Sequence, residues 1–141
     1  SCLMPRPEKI RKIKHPPLME GFKPFGINKN KPQIVKLTFE EYESIRLIHY
    51  EKLTQEQAAK HMNISRPTFT RIHNKALANI AQAFIEGKVI KISGGRYYIE
   101  GEWYKCKKCS KLIEGIENHV QCYNCKKFGD NELIKFNSKK N

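Results

Sequence analysis

Apolar side chains recur at helical spacing through the middle of this 141-residue chain. Phe39, Tyr42, Ile45, Leu47, Ile48 and Tyr50 make one broad apolar face, the mark of an amphipathic helix. Thr38 is its expected N-cap, Glu41 completes a capping box, and Glu40 and Glu43 match the positive end of the helix dipole. That pattern predicts a solvated, acidic helix start, with Arg46 reaching either a phosphate or a nearby glutamate. A second helix is expected after Thr54, boxed by Gln57, with Ala58, Ala59 and Met62 on its buried side. Asn63 follows, a residue that tolerates the left-handed conformation a sharp turn needs. Ile64 anchors the turn, Ser65 caps a third helix, and Pro67 falls in its first turn, where no backbone donor is required. Phe69, Ile72, Ala76, Leu77, Ile80, Ala83 and Phe84 keep the helical period as far as Gly87, a natural stop. From Arg66 to Glu86 this helix would run roughly 30 Å.

The flanks are patterned differently. Val89 to Ile99 has β-rich sides around Gly94-Gly95 and predicts a β-hairpin. Pro and Gly punctuate the chain before Ile34, so regular structure is not expected there, and Phe22 and Phe25 are expected to pin that loop onto the helical core. The reading as a whole is a mainly α fold: a basic arm and loop (1–37), a helix-turn-helix domain (38–87), a β-hairpin linker (88–102) and a small β-rich zinc ribbon (103–141).

The third helix carries the chemistry. Its outward residues are Arg66, Thr68, Thr70, Arg71 and Asn74, followed by Lys75. Arg pairs bidentately with guanine and Asn with adenine, while Ser and Thr bond bases or phosphates, so Ser65 to Lys75 fits the major groove of duplex DNA. His73 and Lys75 are expected near phosphates; His49 and His61 have no convincing ligand spacing. The plain alternative is a helical hairpin with a solvated polar face.

Charge sharpens this picture. The net charge is +13, from 27 Lys and Arg against 14 Asp and Glu, which favours a polyanionic partner. Residues 1–37 hold nine basic and two acidic side chains, residues 38–87 six of each, and residues 88–141 twelve and six. The helices would read sequence while the flanks attract phosphates. Arg6, between Pro5 and Pro7, suits a narrow minor groove and resembles the core of an AT-hook. No apolar run is long enough for a membrane span and no signal-peptide core opens the chain, so a cytoplasmic protein is expected. In that reducing setting cysteines serve as metal ligands more often than as disulfides.

Cys106-Lys-Lys-Cys109 and Cys122-Tyr-Asn-Cys125 form two Cys-x-x-Cys knuckles, the thiolate set of a closed tetrahedral Zn2+ site with a structural role; iron is the alternative ion. No nucleophile, base and orienting group cluster at recognisable spacing, so no enzyme is expected.

Taken together, the motifs resemble a little-characterised prokaryotic family of small proteins taken to bind DNA. The resemblance rests on Met4-Pro-Arg-Pro7, Phe22-Lys-Pro-Phe-Gly-Ile27, Leu37-Thr-Phe-Glu-Glu-Tyr-Glu-Ser-Ile-Arg-Leu47, Gln55-Glu-Gln-Ala-Ala59, Ile64-Ser-Arg-Pro-Thr-Phe69 and Lys88-Val-Ile-Lys-Ile-Ser-Gly-Gly95. Asn63 stands where that family usually has a turn glycine. The helical part is similar to region four of bacterial sigma factors, which implies promoter-like double-stranded DNA as partner and a transcription regulator as function. A homodimer paired through the distal third helix is compatible with the pattern. Two other functions fit the same residues: a sequence-tolerant RNA or single-strand binder using Tyr97, Tyr98 and the cysteine-rich tail, and an adaptor docking on RNA polymerase through that tail.

Overall fold

A computed structural model describes residues 10–27, 30–107, 111–115 and 133–135. Three helices and eight strands follow one another: β1 (Arg11–Ile13), β2 (Gly21–Phe22), β3 (Ile34–Leu37), α1 (Phe39–Ile45, continued as a π-helical turn over Arg46–Tyr50), α2 (Gln55–Met62), α3 (Arg66–Glu86), β4 (Val89–Ile92), β5 (Tyr97–Ile99), β6 (Trp103–Cys106), β7 (Leu112–Glu114) and β8 (Leu133–Lys135). The described residues are 39% helical and 25% strand, in three small sheets. The expectation of a mainly α fold is therefore corrected: this is a mixed α and β fold.

The helices begin and end where local chemistry dictates. Thr38 and Thr54 each close a capping box, with Glu41 and Gln57 respectively. Asn63 ends α2 at φ 59°, ψ 43°, and Gly87 ends α3 at φ 65°, both in the left-handed region. Ala58, Ala59, Met62 and Phe69 bury completely or nearly so with Leu47, so α1, α2 and α3 share one apolar core. Phe69, fully buried, contributes about 1.5–3 kcal/mol through its burial alone.

The sheets come from pairings that no local pattern announces. β3 and β4 pair in parallel, Ile34 with Val89 through Leu37 with Ile92, and the three helices form the crossover between them. β2 adds antiparallel to the far side of β4. Leu37, Ile92 and Ala76 bury together where this sheet meets α3. β1 pairs in parallel with β5, and Ile13, Tyr97, Ile99 and Trp103 form a second core beneath them. The segment from Val89 to Ile99 is thus no hairpin: β4 and β5 belong to different sheets, and Gly94-Gly95 (φ 77° and 98°) carries the chain from one to the other. Regular structure also starts well before Ile34, because β1 and β2 find partners more than sixty residues downstream.

Near the C-terminus, β6 lies between β7 and β8 in an antiparallel sheet. Cys106 is buried there against Ile113 and Leu133. Cys109, Cys122 and Cys125 lie outside the described residues, as does Arg6. Among the described residues no group of three or more His, Cys, Asp or Glu is placed to hold a metal. For this region the structure describes a small three-stranded sheet, and no zinc-binding site is shown among the described residues.

Candidate nucleic-acid interface

The face of α3 opposite Phe69 is open. Arg66, Arg71, Asn74 and Lys75 are exposed, and Ser65 at the N-cap is exposed as well. Ser65 Oγ accepts from the Thr68 amide at 3.4 Å and lies 2.9 Å from Thr68 Oγ1, leaving the remaining first-turn amides directed off the end of the helix. Such an end attracts anions, and Arg66 beside it strengthens the field. Thr68 and Thr70 are only half exposed. Thr70 Oγ1 lies 2.5 Å from Gln55 Oε1 and 3.0 Å from the Arg66 carbonyl, so its hydroxyl proton is engaged within the protein. Thr70 braces α3 against α2 and has only lone pairs to offer a base. Gln55, which no local signal marked out, fixes the angle between the two helices through that bond.

His73 does not face outward. It lies one turn after Phe69 on the inner stripe, 6% exposed, with its ring parallel to that of Phe69 at a centroid distance of 5.9 Å. Its Nε2 sits 3.0 Å from Nε2 of His49, so one proton bridges the rings and ties the end of α1 to the middle of α3. Burial, and then the neighbouring His49, hold the His73 imidazole below its ordinary pKa. His61 on α2 is lowered too, by burial first and then by Lys14, Lys12 and Arg46. The influence of two β1-side lysines on His61 reflects the packing of β1 against α2. Residues 11–14 of the basic N-terminal segment are therefore held close to the helices.

The glutamates of α1 do that holding. Glu40 pairs with Arg11 at 3.0 Å and accepts from the Arg96 amide at 2.9 Å. Glu43, 1% exposed, accepts from the Lys14 amide at 2.7 Å and pairs with Arg46, which also reaches Glu51 at 3.0 Å. Glu41, 3% exposed, accepts from Thr38 N at 2.9 Å and from Asn79 Nδ2 on α3 at 3.0 Å. The expectation of a solvated helix start is corrected: two of these carboxylates are buried, and each joins α1 to another element. Arg46 takes the glutamate partners, not a phosphate.

Other expectations are also revised. Phe22 and Phe25 are 60% and 98% exposed and pin nothing onto the core. Tyr97 is buried against Phe39, with ring centroids 4.5 Å apart, so it is no stacking platform for a nucleic-acid base. Beyond Lys75 the open face of α3 loses its charge and carries Leu77, Phe84 and Ile85, the last two about four-fifths exposed. No helix among the described residues is long and apolar enough to cross a membrane.

Comparisons place the chain among sequences rather than structures. Residues 3–100 match the family described as "Protein of unknown function DUF134". A UPF0251 protein of Halothermothrix orenii is 42% identical over 116 residues, covering 82% of this chain and 86% of the relative. One from Chloroherpeton thalassium is 39% identical over 86% of this chain and 82% of its own length, and one from Moorella thermoacetica 37% identical over 92% and 86%. No solved structure matches. On the match to residues 3–100 and on these relatives, the chain belongs to the DUF134 family of uncharacterised UPF0251 proteins.

Proposed function

We propose that this protein is a sequence-specific regulator of transcription that binds double-stranded DNA. In this reading α2, the Asn63 turn and α3 act as a helix-turn-helix similar to sigma factor region four, with α3 in the major groove. The observation that carries it is the open, positively charged first half of α3, with Arg66, Arg71, Asn74 and Lys75 exposed together opposite the buried Phe69 and His73. Arg71 and Asn74 project from the middle of that face, where base edges would lie; Ser65, Arg66 and Lys75 flank them as phosphate or base contacts. Thr70 can only accept, because its proton is engaged, whereas the Thr68 hydroxyl accepts from Ser65 and keeps its own proton to donate. Arg6 would follow the minor groove, and the chain performs no catalysis.

The four cysteines would hold one structural Zn2+, with thiolates of Cys106, Cys109, Cys122 and Cys125 as ligands. The soft, closed donor set supports zinc, and Cys106 is the member of it that is described, buried at the end of β6. The metal would stabilise the C-terminal part and perform no reaction.

The test is selection of duplexes from a random library by the full chain, followed by binding of the recovered site. A defined motif is expected. Arg71→Ala should then cost about 1–3 kcal/mol on that site and much less on unrelated duplexes. A loss of equal size on every sequence would leave Arg71 a phosphate anchor and remove base reading from the proposal.

A further inference from the structure

A groove of about 650 Å3 opens beside the β2–β4–β3 sheet, lined by the segment that carries β2, by β3 and β4 and by Lys105 of β6. Its apolar lining includes Leu18, Phe22 and Ile34, which are 53%, 60% and 59% exposed, together with Val89 and Ile90 of the central strand. Three lysines stand around it, each from a different element: Lys23 after β2, Lys91 on β4 and Lys105 on β6. None of the three forms an ion pair among the described residues. Glu20 is the one acid in the lining.

This combination is unusual for a plain surface. Large apolar side chains left half open cost free energy that burial would recover. Three lysines against one glutamate leave a local excess of positive charge, and low-dielectric walls focus such a field into the groove. The volume lies in the range of small-molecule sites, which combine an apolar surface with a few placed polar groups. Gly21 keeps the wall thin: a Cβ there would run into the Ile90 carbonyl, so only glycine lets β2 lie this close to β4.

We propose that this groove binds a small amphipathic organic anion from solution, its apolar body on Phe22, Ile34 and Val89 and its carboxylate, sulfonate or phosphate among Lys23, Lys91 and Lys105. β4 begins two residues after Gly87 closes α3, so an occupant of the groove rests against the strand that follows that helix. The proposal stands on the groove alone and does not depend on DNA recognition.

Titration of the full chain with 8-anilinonaphthalene-1-sulfonate, an aromatic sulfonate, provides the probe. Saturable one-to-one binding with blue-shifted emission is expected. Lys91→Gln and Lys105→Gln should each weaken it about threefold and the pair together about tenfold, the size of partly screened single-charge contacts. Ile34→Ser should weaken it as well, with the helical circular dichroism and the cooperative unfolding of all variants unchanged. Dodecanoate should displace the dye and dodecyltrimethylammonium should not. Equal dye affinity in the double lysine variant, or equal displacement by the cation, would overturn the proposal. So would displacement by phosphatidylglycerol vesicles that sediment with the protein while dodecanoate leaves the dye bound, since the groove would then serve a membrane surface.

Discussion

Glu43 is a buried carboxylate whose loss should be costly. It is 1% exposed on α1, accepts the Lys14 amide at 2.7 Å and pairs with Arg46. Glu43→Ala leaves the Lys14 N–H without its acceptor and the Arg46 guanidinium without its buried partner. Breaking a buried ion pair from one side costs about 3–5 kcal/mol, because a charge remains uncompensated. Here Arg46 keeps Glu51 at 3.0 Å in a more exposed position, which moves the expected loss to the lower end, about 3 kcal/mol. For a chain of this length that corresponds to a fall in Tm of about 10 °C. Urea unfolding of wild type, Glu43→Ala, Arg46→Met and the double variant measures it. The double variant should lose less than the sum of the singles, since neither buried charge is then left alone. Amide exchange at Lys14 should rise in Glu43→Ala before global unfolding does. A loss under about 1 kcal/mol, the size of an exposed pair, would refute the claim that α1 holds β1 through this carboxylate.

Acid should destabilise the fold through His61 and His73. Both have folded-state pKa values below the ordinary 6.5, so the unfolded chain binds more protons as pH falls through that value; stability is complete above it and declines below it toward the lowered values. Urea midpoints between pH 8 and pH 5 should show this, and His61→Gln should shallow the slope; a midpoint that rises on acidification would contradict it. Gly21→Ala should separate β2 from β4, lowering stability by about 1–3 kcal/mol and speeding exchange of the Ile92 amide, which donates to the Glu20 carbonyl at 2.8 Å. Asn63→Gly should be nearly neutral while Asn63→Val, which must enter the left-handed region with a branched Cβ, should cost at least about 1–2 kcal/mol, read from thermal melts.

The parts of this fold that were legible in the sequence are those whose cause is local. Thr38, Thr54 and Ser65 cap helices because their hydroxyls reach amides three residues on, and Asn63 and Gly87 end helices because of what their own backbones tolerate. The inward stripe through Phe69 and Ala76 follows from a 3.6-residue period. Strand partners are a different matter. Arg11–Ile13 is a short basic run whose value as a strand comes from Tyr97–Ile99, and nothing near Arg11 announces that pairing. Val89–Ile92 and Tyr97–Ile99 have the pattern of a hairpin, yet each finds a better partner elsewhere, so local reading joined two strands that the fold separates. Glu41 and Glu43 match the helix dipole and would do so equally well in water; their burial depends on Asn79, Lys14 and Arg46 arriving from other elements or the next turn. The outward residues of α3 were legible because amphipathicity names them, but the bond from Thr70 to Gln55 was not, since it depends on how two helices cross.

Amide chemical-shift mapping with a selected duplex tests the central claim most directly. The account predicts the largest changes at Ser65, Arg66, Arg71, Asn74 and Lys75, smaller ones at Lys12 and Lys14, and none in the groove around Phe22 and Ile34. Changes confined to the residues from Tyr98 to Lys107, with α3 silent, would contradict it.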